Sequence, residues 1–288
     1  MQGKKAVGFV LLSVLLFAGS LTLMLFLSDN ESGASEDTAE TEIQVQTPET
    51  DSAESKESGE QAAKENPQEE NINIQQSAAD FEETLRQLRE QNKRIVAIDP
   101  GCGGEDDGIR TVIEQAASKT TLREKELTLE IARKTRDLLE EEGIYVIMTR
   151  EEDTDVSPDS RVYLANLIPA DLFISLRAFE DADSSVYGMK TQFNEDFYME
   201  GFDNEDLAYC ILENVTLEAN EKAIGVFGLE DRDSVLRLLM IPGVELDVGC
   251  MTNMQQARLL EREDYRDKIA RGICKGITET FEKAEKGR

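Results

Sequence analysis

The clearest chemistry-bearing stretch is Arg94 to Gly104, RIVAIDPGCGG. Ile95, Val96, Ala97 and Ile98 form an apolar, partly β-branched run that stops at Asp99-Pro100-Gly101, which predicts a buried strand running into a glycine-rich turn. Turns at the carboxyl ends of strands are where open α/β sheets place their ligands. Cys102 stands between glycines in this turn, so its side chain is expected to be presented rather than packed. A thiol acts as nucleophile or metal ligand only as thiolate, and needs a neighbour that lowers its pKa. The chain contains no histidine, which removes His-activated cysteines, Ser-His-Asp triads and His metal ligands at once. The plainer reading of Cys102 is a small residue filling a tight turn.

The elements that must position this turn follow from hydrophobic spacing. Leu127, Leu129, Ile131, Ala132, Leu138 and Leu139 recur at helical intervals up to Gly143, a natural helix stop. Ile144 to Thr149 reads as a strand, Pro158 opens a helix, and Asp171 to Leu176 is a third strand. Gly188 to Phe193 is a further strand, Leu207 to Leu217 a helix and Val244 to Val248 a buried strand. A single helical tail is expected over Met254 to Lys283, with Ile269, Ile273, Ile277 and Phe281 spaced by four. Strands alternating with helices predict an α/β fold, a mainly parallel twisted sheet flanked by helices on both faces. Cys210 and Cys274 fall on helices and read as core residues.

The N-terminal third has a different character. Lys4 and Lys5 precede an apolar run from Ala6 to Leu27, and Asp29 and Glu31 follow it. As a helix that run would be about 33 Å long, enough to span a hydrocarbon core. Basic residues before it and acids after it predict one transmembrane signal anchor over residues 1–28, with the remainder extracytoplasmic at the cell membrane. A cleaved signal peptide ending near Ala18-Gly19-Ser20 is disfavoured because apolar residues continue to Leu27. Residues 29–80 are rich in Glu, Ser, Thr and Gln, and predict a disordered acidic linker. Phe81, Leu85 and Leu88 predict a short lead-in helix over 81–93, before a domain of 94–288. The net charge of −29 argues against nucleic acid as a partner.

The blocks IVAIDPGCGG, LREKELTLEIARKTRDLLEEEGIYVIMTREEDTDVSPDSRVYLAN, ADLFISLRA, IPGVELDVGCMTN and YRDKIARGICKGI resemble, in order and spacing, zinc-dependent N-acetylmuramoyl-L-alanine amidases of the family-3 type. The resemblance covers Arg94 to Phe281. It implies the amidase fold and a site that cuts the amide between the muramic acid lactyl group and the first alanine of the peptidoglycan stem. It also implies zinc held by two histidines and one glutamate, with a second glutamate as general base.

Carried over position by position, the resemblance places Cys102 at the first histidine, Glu124 at the glutamate ligand, Arg177 at the second histidine and Asp247 at the general base. Only Glu124 keeps the family's residue. Ile224 also stands where an arginine usually precedes the Gly-Val pair. A hydrolytic zinc needs about three neutral or anionic ligands and an open position; a guanidinium has no lone pair to offer and stays charged. Asp247 is one methylene shorter than glutamate, against a catalytic tolerance of roughly 0.5 Å. Strand alternation puts Glu245 on the same side as Asp247, so the pocket of Asp99, Arg177 and Glu245 gains a carboxylate. Arg177 is expected to pair with Glu124, Asp247 or both. Cys102 with Cys250 is the first disulfide to test in an extracytoplasmic protein.

Three functions are consistent with these residues. The first is a membrane-anchored, catalytically inactive amidase-like domain that binds peptidoglycan or a cell-wall-associated protein, without a cofactor. The second is an active amidase using zinc in an atypical site of Cys102, Glu124 and Asp247. The third is a structural envelope module without ligand.

Overall fold

The computed structural model describes residues 80–115, 118–168, 170–199, 202–229 and 234–286. The anchor and linker expectations fall on residues 1–79, outside the described ones. Among the described residues no helix is long and apolar enough to cross a membrane.

A helix over residues 80–90 (α1) leads into β1 (Ile95–Pro100), β2 (Arg110–Gln115), β3 (Ser118–Arg123) and α2 (Glu124–Glu141). Then come β4 (Tyr145–Met148), α3 (Pro158–Leu167), β5 (Leu172–Phe179), β6 (Met189–Phe193), β7 (Tyr198–Met199) and β8 (Phe202–Asp203). The chain closes with α4 (Asn204–Ala219), β9 (Ala223–Gly228), a 3-10 turn (Val235–Leu238), β10 (Gly243–Cys250), α5 (Met254–Leu260) and α6 (Glu263–Lys286).

Helix starts follow local chemistry. Ser157, Asp203 and Asn253 each accept backbone N–H bonds at the starts of α3, α4 and α5. Pro158 occupies the first turn of α3, where no N–H is needed. Gly143, at φ +79, ends the turn after α2. The single tail expected over Met254 to Lys283 is instead two helices. Arg266 donates from Nη1 to the Leu260 and Glu261 carbonyls, 2.8 and 2.6 Å away, so the end of α5 is satisfied by a side chain rather than by continued helix.

The six-stranded sheet has the order β4-β1-β5-β10-β6-β9. All neighbours run parallel except β10 with β6, so the sheet is mainly parallel, as its strand and helix alternation implied. The β2–β3 hairpin and edge strand β9 were not foreseen.

The two faces of the sheet differ. Val96, Ile98, Ile174, Leu176, Val244 and Leu246 face a core shared with α2, α4 and α6. The other face carries Ile95, Ala97 and Phe173 under α3, the 3-10 turn and α1, whose Phe81, Leu85 and Leu88 pack there. Further along the same strands that second face turns polar, at Asp99, Ser175, Arg177, Glu245 and Asp247. With period-two alternation, Lys190 and Gln192 of β6 extend this stripe. The site therefore lies where the apolar cover of one face stops.

A candidate site centred on an arginine

The turn after β1 is held by its carbonyls. Arg150 donates from Nε to Pro100 O at 3.0 Å and from Nη2 to Gly101 O at 2.7 Å. Arg161 reaches Pro100 O and Cys102 O, both at 2.9 Å. Thr128 Oγ1 donates to Gly101 O at 3.0 Å and Lys125 Nζ to Gly104 O at 2.6 Å. Burial, with Arg161 beside it, lowers the Arg150 guanidinium to about 10, so it remains charged at neutral pH. None of these supports was singled out from sequence, although Arg150 and Arg161 lie in one of the resemblance blocks.

Cys102 is buried and adopts φ +56, so the expectation of a presented thiol is corrected. Burial and the neighbouring Glu124 charge push its thiol up to about 12. All four cysteines are free, and Cys250 Sγ lies 3.2 Å from Thr252 Oγ1, so the Cys102–Cys250 disulfide is not formed.

Glu124 begins α2, and its side chain does more than favour the helix dipole. Oε2 accepts from Ile109 N and Oε1 from Ala178 N, each at 3.0 Å, tying the loop before β2 to the end of β5.

Arg177 lies against Gly101; a Cβ there would be 2.6 Å from its Cδ. Its ion pairs go to Asp99 (Nη2 to Oδ2, 3.8 Å) and Glu245 (Nε to Oε2, 3.9 Å), and Nη1 lies 3.9 Å from Cys102 Sγ. The expected pairing with Glu124 or Asp247 is therefore corrected. Burial alone would lower the guanidinium, but Asp99 and Glu245 outweigh it and hold it above its ordinary value.

Asp99 is fully buried; its carboxylate pairs with Arg161 and accepts from Thr149 Oγ1 at 2.6 Å and Ser175 Oγ at 3.1 Å. Burial would raise this carboxyl, yet Arg161, Arg177 and Thr149 together hold it below the usual carboxylate range. Glu245 and Asp247 do share a face: Gln192 Nε2 lies 3.2 Å from Glu245 Oε1 and 3.3 Å from Asp247 Oδ2. Burial and the Asp247 charge push Glu245 up to about 7 against the pull of Arg177. Burial also raises Asp247, opposed by Lys190 Nζ at 3.5 Å and by Gln192. Lys190 and Gln192 escaped notice in the sequence, though their alternation along β6 would have placed them here. Arg177, Gln192, Glu245 and Asp247 line a cavity of about 380 Å³, with Leu229 and Val235 among its other walls.

The profile of N-acetylmuramoyl-L-alanine amidases matches residues 96–279. The chain belongs to that family. The germination-specific N-acetylmuramoyl-L-alanine amidase of Bacillus subtilis (strain 168) is 34% identical over 216 residues, covering 67% of this chain and 81% of that protein. AmiA of Escherichia coli (strain K12) is 27% identical over 228 residues, 66% of this chain and 76% of its own. Among solved structures, the catalytic domain of the amidase CwlV from Bacillus (Paenibacillus) polymyxa var. colistinus aligns with a TM-score of 0.58 at 26% identity, over 66% of this chain and 98% of its own. The Clostridioides difficile CwlD amidase, solved in complex with the GerS lipoprotein, aligns at 0.57 and 25%, over 66% and 99%.

Amidases of this family are zinc-dependent, and the donors present here can be tested against that ion. The four corresponding positions offer one thiol, a carboxylate whose two oxygens each accept a backbone bond, a guanidinium with no lone pair to give, and an aspartate held by lysine and glutamine. That set does not fit a dication with an open coordination position. Among the described residues no group of three Cys, Asp or Glu side chains is placed to share an ion.

Proposed function

We propose that this chain is a membrane-anchored, extracytoplasmic amidase-family protein that binds the peptidoglycan wall without hydrolysing it. The observation that carries the reading is Arg177, whose guanidinium lies beside Cys102 with Asp99 and Glu245 as counter-charges. A fixed cation there supplies positive charge but neither a lone-pair site nor a bound water to activate. The anchor follows from the apolar run of Ala6 to Leu27. A wall-associated protein is the second reading for the ligand, supported by the CwlD relative, which was solved with a lipoprotein partner.

The test uses the full chain purified in detergent. Insoluble sacculi should retain it, muropeptides should release no stem peptide, and purified protein should hold no stoichiometric zinc. Chelator-sensitive zinc at one per chain, or stem-peptide release that disappears in Asp247→Ala, would overturn the proposal. Failure of sacculi to retain the chain would pass the binding role to a protein partner.

A further inference from the structure

The charged groups on the polar face of the sheet are unequally satisfied. Asp99 is closed off by Arg161, Thr149 and Ser175. Arg177 is not. Its guanidinium has five N–H donors, yet its two carboxylate neighbours stand 3.8 and 3.9 Å away, beyond hydrogen-bonding distance. Among the described residues none of those donors makes a hydrogen bond to an oxygen, and Nη1 has only Cys102 Sγ, at 3.9 Å. The side chain is 24% exposed and lines the cavity of about 380 Å³, a volume within the usual range of small-molecule sites. Beside it, Glu245 and Asp247 share the Gln192 amide donor and both line the same cavity, with Lys190 Nζ 3.5 Å from Asp247 Oδ2.

A simple anion approaching Arg177 would meet Glu245, and a simple cation approaching Asp247 would meet Arg177 and Lys190. A ligand bearing both signs a short distance apart avoids both repulsions. We infer that the cavity receives a zwitterionic amino-acid group, with its carboxylate on the Arg177 fork and its ammonium on Glu245 and Asp247. A planar guanidinium suits bidentate carboxylate binding, and a loosely held internal pair is displaced at low cost. Leu229 and Val235 leave room for an apolar remainder. This inference rests on the reading above, in which Arg177 and not a metal holds the centre.

The probes are glycine and 4-aminobutyrate, with N-acetylglycine as the carboxylate alone and glycinamide as the ammonium alone. Each is titrated calorimetrically into the full chain in detergent at fixed ionic strength and at pH 7.5, above the value of about 7 at which Glu245 loses its proton. At least one zwitterion should bind about tenfold or more tightly than both single-charge analogues, and Arg177→Gln and Glu245→Gln should each weaken it by about the same factor. Arg177→Lys, which keeps the charge and loses the fork, should also weaken it, and circular dichroism confirms that each variant is folded. N-acetylglycine binding as tightly as glycine, no binding by either zwitterion, or unchanged affinity in a folded Arg177→Gln protein would overturn the inference. Sacculus retention in the same preparations separates the two readings: retention without amino-acid binding removes this inference alone, whereas stoichiometric zinc removes both.

Discussion

Arg177 and Glu245 face each other across the β5–β10 seam, Nε to Oε2, at 3.9 Å. The pair is too long to be a hydrogen bond and too buried to be dismissed as a surface contact. Its weakness shows in Glu245, whose carboxyl remains pushed up to about 7 from its ordinary 4.5 by burial and by Asp247 despite the guanidinium.

That shift predicts a pH dependence of stability. Below the ordinary value Glu245 is protonated in both the folded and unfolded chain. Between about 4.5 and about 7 the unfolded chain has lost the proton while the fold still holds it, so stability falls as pH rises. Above that window the penalty is constant, on the order of 3 kcal/mol at most. Asp247, Asp99 and Glu124 face the same carboxyl and add to its rise, while Arg177 opposes it. Denaturant unfolding at pH 4, 6 and 8 should show a smaller decline for Glu245→Gln than for the parent protein. Parallel profiles would show that Glu245 is not the titrating group.

Asp99→Asn should be the most damaging isosteric change in the site. It removes the charge that faces both Arg161 and Arg177 while leaving Arg161 buried. Breaking a buried pair by neutralising one member costs about 3–5 kcal/mol. Chemical denaturation measures it, and a loss below about 1 kcal/mol would mean that the carbonyls around Arg161 suffice without the carboxylate.

The parts of this site that were legible in advance were those governed by strand alternation. Period two put Glu245 and Asp247 on one face, and both meet Gln192. The partner of Arg177 was not legible. Arg177 and Asp247 are direct cross-strand neighbours, but Asp247 also has Lys190 beside it on β6 and leans that way. Backbone register thus brought the right residues together without deciding which charges would pair. At the level of elements, the α/β order followed from long apolar runs. The β2–β3 hairpin escaped because its strands are largely polar, with Ile113 and Leu122 as the buried apolar pair. Strand β9, AIGVFG, escaped because two glycines dilute its β signal.

Cys102 should be chemically quiet. With its thiol pushed up to about 12, its thiolate fraction near pH 8 is on the order of a thousandfold below that of a free cysteine. Iodoacetamide labelling of the folded chain, read residue by residue by mass spectrometry, should leave Cys102 unmodified until denaturant is added. Modification within minutes under native conditions would mean that the turn opens or that the thiol is far more acidic than its surroundings imply.

Restoring the family's donors tests whether the scaffold or the side chains disfavour zinc. Position 102 already has the left-handed φ of +56, which histidine tolerates better than most residues, and Glu124 is in place at the start of α2. Cys102→His with Arg177→His and Asp247→Glu removes the fixed cation and returns two neutral ligands and the longer carboxylate. After dialysis against zinc, the triple variant should retain the metal stoichiometrically and unfold at a higher temperature with it than without it. The double variant Cys102→His with Asp247→Glu keeps Arg177 and should retain none, because the guanidinium still occupies the ligand position beside residue 102. Zinc retained by that double variant would show that Arg177 swings aside and is not what disfavours the ion.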